Sequence, residues 1–298
     1  MLLYKKTTRK LIMAETTLPI LLSIRRKLPE LSGNFRNIAE QILKSPESVL
    51  NERVSDLAKR SRCDSAQVIR LCQKFGFDGF SSLKNRIMED FLKQRRTLES
   101  QIPAKGNSFD QLKRKFADEF TRTVNDTLNE IDEAQIGAAA GHISRSRLIL
   151  ISGFGSSGLV ARDLQTKLLR LGFTALFLDD AEILRSMCAT LTAEDLFIAI
   201  SFSGSTKYLL DDVAVARKNG TAVIGLTSYP DSPLAAASTL TLLTTADEQQ
   251  LRLGAMVSVV AQYLVVDILI SYLAKQDRER TEERIISIYR KSVSGENA

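Results

Sequence analysis

Two short loops in this chain have the residue types of an anion cradle. Ser201-Phe202-Ser203-Gly204-Ser205-Thr206 ends an apolar run, places four hydroxyls in six residues, and leads directly into a helical pattern. Backbone N–H groups at a helix start point at an anion, the helix dipole favours it, and hydroxyls complete its shell. Gly204 lets the backbone come close. The other loop, Gly153-Phe154-Gly155-Ser156-Ser157-Gly158, satisfies the spacing GxGxxG, and Asp179-Asp180 end the following apolar run. A dinucleotide site wants such a loop and such an acid, so an NAD-binding reading is open. It leaves the serine-rich loop unexplained, whereas one phosphomonoester held between two strand ends uses both loops.

A third constellation lies near the N-terminus, VSDLAKRSRCDSAQVIRLCQKFGF over residues 54–77. Ser55 is expected to cap a helix ending at Lys59 or Arg60, and Ser61-Arg62-Cys63 forms a short connection. Asp64 then caps a second helix that Gly76 stops. Two short helices and a tight turn in a basic helical region match a helix-turn-helix. Its second helix would place Ser65, Gln67 and Arg70 against base edges, Gln suiting adenine and Arg guanine. Arg60, Arg62, Lys74 and Lys84 are placed to meet phosphates. By spacing alone, a structural helical bundle with a charged surface fits equally.

The elements that must position these residues follow from periodicity. Up to about residue 98 apolar residues recur three and four apart: Ile38, Ile42 and Leu43; Val68, Leu71, Cys72 and Phe75; Leu83, Ile87, Met88, Phe91 and Leu92. Residues 97–108, with Pro103 and Gly106, read as a linker, and 109–144 as a long helical stretch. From 148 onward, apolar runs at 148–152, 174–179, 196–201, 221–228 and 239–245 alternate with helical segments at 158–171, 182–190 and 207–219. That alternation predicts a five-stranded parallel sheet flanked by helices, closed by an apolar helix at about 254–274. The expected division is an arm at 1–17, an all-α helix-turn-helix domain at 18–96, the linker, and an α/β domain at 109–298. The first 12 residues fit neither domain. They are expected to be a disordered arm, or to precede a true start at Met13.

Composition narrows the function classes. The 298 residues are 44% hydrophobic and 26% charged, enough apolar mass for packed cores. Residues 1–100 hold 20 Lys and Arg against 11 Asp and Glu, and the remainder is slightly acidic, the balance expected of a nucleic-acid-binding module joined to an unrelated domain. No uninterrupted apolar run has the length of a membrane span. Three cysteines without CxxC spacing, and the single His142, argue against a disulfide framework or a metal centre. The expectation is a cytoplasmic protein without metal or cofactor.

RCDSAQVIRLCQKFGFDGFSSLK is similar to the DNA-binding segment of the RpiR family of bacterial regulators, through Lys74, Gly76, Phe77, Gly79, Phe80, Leu83 and Lys84. Asp64 stands where members often have Ser. IAISFSGST resembles the phosphate motif of SIS (sugar isomerase) domains, and the order helix-turn-helix then SIS is itself that of RpiR-type regulators. The resemblance, over about 18–275, implies that Ser201, Ser203 and Thr206 hold a phosphate while Ser157, with Ser156 beside it, contacts the sugar. Glu248 and Arg252 then lie near the sugar, and Val259 stands where relatives often have a further Arg. SIS domains also occur in isomerases, but aldose–ketose isomerisation needs a base and usually an acid. His142 precedes the first strand, and Glu248 has no evident acid partner, so no catalytic residue is assigned. The expected protein is a regulator of sugar or amino-sugar catabolism that binds operator DNA and a phosphorylated sugar, as a homodimer or a tetramer. A sugar-phosphate isomerase with a helical appendage is the alternative.

Overall fold

The computed structural model describes residues 19–102, 106–246 and 254–294, which fall into a helical unit and an α/β unit. The arm at 1–17 and residues 103–105 of the linker lie outside the described residues, as do Glu248 and Arg252.

The helical unit consists of α1 (Ile20–Lys27), a 3-10 turn (Leu28–Glu30), α2 (Gly33–Lys44), α3 (Pro46–Asn51), α4 (Val54–Arg60), α5 (Ser65–Lys74) and α6 (Phe80–Gln101). Their apolar stripes meet in one core around Ile24, Ile38, Ile42, Leu57, Val68, Leu71, Leu83 and Ile87. α4 starts one residue before the expected Ser55 cap. The Asp56 carboxylate accepts the Arg53 N–H at 2.9 Å, which moves the cap position to Arg53. Asp64 caps α5 as expected, accepting the Gln67 N–H at 2.8 Å. Arg62 takes the left-handed conformation (φ 56°) that closes the turn between α4 and α5, and Gly76 takes it (φ 83°) just past the end of α5. α6 runs on to Gln101, through the first residues of the stretch read as linker, because TLESQ holds no helix breaker.

The α/β unit opens with α7 (Phe109–Glu130) and α8 (Glu133–Arg145). Asp132, which accepts from Ala134 and Gln135 N–H, divides the helical stretch that the sequence presented as one. There follow β1 (Ile149–Gly153), α9 (Ser156–Leu171), β2 (Ala175–Phe177), α10 (Ala181–Thr190), β3 (Leu196–Ile200), α11 (Lys207–Lys218), β4 (Ala222–Thr227), α12 (Pro233–Ala237) and β5 (Leu240–Leu243). α13 (Val257–Gln276) and α14 (Arg278–Ser294) end the described chain. The strands form a parallel sheet in the order β2-β1-β3-β4-β5.

Each face of the sheet carries its own core. Ile149, Ile151, Ile198 and Ile200 pack with α8, α9 and α13; Leu150, Phe197 and Ala199 pack with α10, α11 and α12. α13 is long and apolar enough to cross a membrane, but here it lies against α7, α8 and α9, with Val257, Ala261, Val265 and Leu269 in the core. α14 was not foreseen. Apart from Thr281 and Arg284 its described side chains are exposed, including Ile285, Ile288 and Tyr289, whose spacing of three and four was a visible helical signal. Cys72 and Cys188 are buried, each in the core of its own unit, and burial pushes their thiols up to about 11 and about 12.

α9 begins hard against the sheet. A Cβ on Gly153 would stand 2.9 Å from the Ser157 carbonyl oxygen and 3.0 Å from that of Ile200, and one on Gly158 would stand 2.8 Å from the Gly153 oxygen. Gly153→Ala is therefore expected to destabilise the α/β unit by about 1–3 kcal/mol, read as a lowered midpoint in urea denaturation.

Candidate functional site

β1 and β3 lie side by side, but the helices that follow them go to opposite faces. α9 joins the core of Ile149 and Ile151, and α11 joins that of Leu150 and Phe197. A crevice opens between the carboxyl ends of two such strands, and it is where open α/β sheets bind ligands. Both loops singled out by the sequence border it.

The loop after β3 is held from several sides. Ser201 is buried, and its hydroxyl lies 2.9 Å from that of Thr206. The Ser205 N–H donates to Ser203 Oγ at 3.3 Å, and Ser205 Oγ donates to the Ser203 carbonyl at 3.1 Å. The Phe202 carbonyl accepts from Ser228 N–H and Thr227 Oγ1, and the Gly204 carbonyl accepts from Leu234 N–H. Gly204 has a φ of 59°, and a Cβ there would sit 2.2 Å from Ser232 Oγ, so this position requires glycine.

α11 begins directly after this loop with Thr206 at its cap position, no side-chain cap and no acidic residue in the first turn. Its first residue is instead an exposed Lys207. A helix start normally favours an acid and disfavours a cation. Cation, dipole, N–H groups and hydroxyls together suit a bound anion. The reading of the sequence missed Lys207, although its place directly after a cap residue was a visible signal.

The loop after β1 supplies Ser156 and Ser157, both half-buried in the first turn of α9, behind Gly155 with its φ of 58°. Ser157 Oγ meets the side chain of Gln262, a buried residue of α13 that the sequence did not mark. Asp180, considered as a ribose acid, is engaged as the cap of α10, where it accepts from Glu182 and Ile183 N–H at 2.9 Å each. Val259 is half-buried against the core. His142 lies in the last turn of α8, which leads into the amino end of β1, the edge of the sheet away from the two loops. Burial first, then the charge of Arg145, holds its pKa below the usual value, favouring the neutral ring.

In the helical unit the expected DNA-facing residues divide by their partners. Arg62, Arg70 and Lys74 are exposed, the Lys74 ammonium lying 5.9 Å from the centre of the Phe35 ring. Ser65 is half-buried at the start of α5. Arg60 pairs with Glu52 at 3.0 Å, and Gln67 Oε1 accepts from Asn34 Nδ2 at 2.7 Å. The Lys84 ammonium donates to the carbonyls of Leu50 and Glu52, at 3.4 and 3.2 Å, just where α3 ends. The outward stripe of α5 is Ala66, Ile69, Arg70 and Gln73, opposite Val68, Leu71 and Cys72. Three of these four were missed, although the buried stripe implies them through the 3.6-residue period.

A helix-turn-helix unit followed by a doubly wound α/β unit with a serine loop at its switch point is the architecture of a transcriptional regulator that joins a DNA-binding module to an α/β domain. Residues 18–94 match the model of the helix-turn-helix domain, rpiR family, and residues 142–272 that of the SIS domain. An HTH-type transcriptional regulator of Caldanaerobacter subterraneus subsp. tengcongensis is 30% identical over 83% of this chain and 89% of its own. Among solved structures, the Vibrio vulnificus NanR protein complexed with ManNAc-6P is 25% identical with a TM-score of 0.62, over 93% of this chain and 99% of that one. The sugar isomerase domain of an RpiR transcription factor from Sphaerobacter thermophilus is 26% identical with a TM-score of 0.56, over 60% of this chain and 99% of that one. The chain belongs to the RpiR family of helix-turn-helix transcriptional regulators that carry a SIS domain.

The carbonyl contacts of Lys84 make it a helix-capping residue. Lys84→Ala is therefore expected to cost the helical unit about 1–2 kcal/mol, a loss measurable in thermal melts without DNA. Arg70→Ala, at an exposed position, should leave the melting temperature unchanged.

Proposed function

We propose that this protein is a cytoplasmic regulator whose α5 reads an operator and whose SIS domain senses a phosphorylated sugar from the pathway it controls, without converting it. The observation that carries the reading is the serine loop at the uncapped start of α11. It supports a phosphate held by Ser201, Ser203, Thr206, first-turn N–H groups and Lys207. Ser156 and Ser157 would then contact the sugar, with Glu248 and Arg252 beside it. The ManNAc-6P bound to the NanR relative supports a sugar phosphate as the effector class. Ser203→Ala should weaken binding of the effector by about tenfold to a hundredfold in calorimetry and leave DNA binding without ligand unchanged. Turnover of a sugar phosphate would point instead to an isomerase, and tight NAD binding indifferent to Ser203 would remove the site.

On DNA, Arg70 and the outward stripe of α5 would face base edges. Arg62 and Lys74 would meet phosphates, and Ser65, Gln67, Arg60 and Lys84 would lie at the margins of the contact. Arg70→Ala should cost about 1–3 kcal/mol on the specific operator and relax one base preference. A gel-shift titration showing unchanged operator affinity would reassign the recognition helix.

Two copies would present two such helices to a partly palindromic operator. In the single chain, Val257, Val265 and Leu269 of α13 are already in the core, while Val260, Leu264 and Ile268 stay half-exposed along one stripe. That stripe is the proposed dimer contact. Light scattering at micromolar concentration should give twice the chain mass; a monomer that still binds operator tightly would contradict it.

A further inference from the structure

α13 is built mostly of apolar residues, yet it buries a primary amide. Gln262 is 1% exposed. Its side chain offers two N–H donors and two carbonyl lone pairs, and burying such a group costs free energy unless it is hydrogen-bonded. Among the described residues it meets a single partner, Ser157 Oγ, 3.4 Å from Oε1 and 3.3 Å from Nε2. Packing alone would be served as well by an apolar side chain such as leucine, as elsewhere along this helix. The amide faces the first turn of α9, which borders the crevice and has no side-chain cap of its own.

We infer that Gln262 is a positioning residue for the sugar part of the ligand, acting through the Ser157 hydroxyl. With Oε1 taking the Ser157 proton, Oγ presents its lone pairs and accepts from a sugar hydroxyl. With Nε2 donating, Oγ keeps its proton and donates. Turning the amide over exchanges the two arrangements while one contact to Ser157 persists. The pair therefore receives a neutral hydroxyl in either sense, as the polyol of a phosphorylated sugar requires. An anionic group at this position would find no cation in the pair. This inference rests on the phosphate site proposed above and adds to it the groups that distinguish a sugar phosphate from phosphate alone.

The test compares inorganic phosphate with a panel of hexose and N-acetylhexosamine 6-phosphates, ManNAc-6P included, by calorimetry on the full chain. Gln262→Met keeps the volume and removes the amide. The tightest sugar phosphate should weaken about tenfold, while phosphate affinity and the thermal midpoint hold. The double variant Ser157→Ala/Gln262→Met should bind no more weakly than Ser157→Ala alone. Gln262→Glu should weaken the sugar phosphate more as pH rises through the titration of the new carboxyl, because an anion then lies beside an anionic ligand. The inference is overturned if Gln262→Met leaves sugar phosphate binding intact, weakens both ligands equally, or adds fully to Ser157→Ala. It is equally overturned if no sugar phosphate binds the wild type more tightly than phosphate does. Phosphate binding indifferent to Ser203→Ala would instead count against the phosphate site itself.

Discussion

β1 and β3 are neighbours in a parallel sheet, and right-handed crossovers carry their following helices to opposite faces. No helix can then cover the gap between their carboxyl ends, so two loops and two helix starts converge on it. The rest of the α/β unit serves this arrangement. Gly153 and Gly158 let α9 close on the sheet, Gly204 turns the serine loop under Ser232, and the cores on the two faces fix both helices. Gly153 and Gly158 thus have local packing reasons, and Gly155 a backbone one in its φ of 58°, none of which requires a dinucleotide.

The charge arrangement at α11 follows from the same geometry. A side chain capping its first turn would compete with a ligand for the exposed N–H groups, and an acid there would repel an anion. The chain has neither, and it adds Lys207. Ser201 and Thr206 are already hydrogen-bonded to each other, so their oxygens are oriented before a ligand arrives and little side-chain freedom is lost on binding.

The helical unit separates support from recognition on short elements. α5 gives Val68, Leu71 and Cys72 to the core and keeps Ala66, Ile69, Arg70 and Gln73 outward. Asp64 and the left-handed residues Arg62 and Gly76 set where the helix begins and ends. Lys84 and Arg60 stabilise the neighbouring chain through carbonyls and a carboxylate.

The sequence determined the architecture because periodicity reports burial directly. Continuous apolar runs marked all five strands, three-and-four spacing marked the helical unit, and Asp64 and the serine loop announced their own places. Helix limits were less legible. Ser55 gave way to Arg53, two residues earlier, because the Asp56 carboxylate accepts the Arg53 N–H, and α14 went unread although Ile285, Ile288 and Tyr289 carry helical spacing. Side-chain partners were decided only by the tertiary structure. A cation looks the same in sequence whether it faces solvent like Arg70 or a helix end like Lys84, 34 residues from Leu50. Gln262 lies 105 residues from Ser157 and reads as an interruption in an apolar helix until folding brings α13 against α9. Local pattern records which face is buried, and only the packed chain records what that face meets.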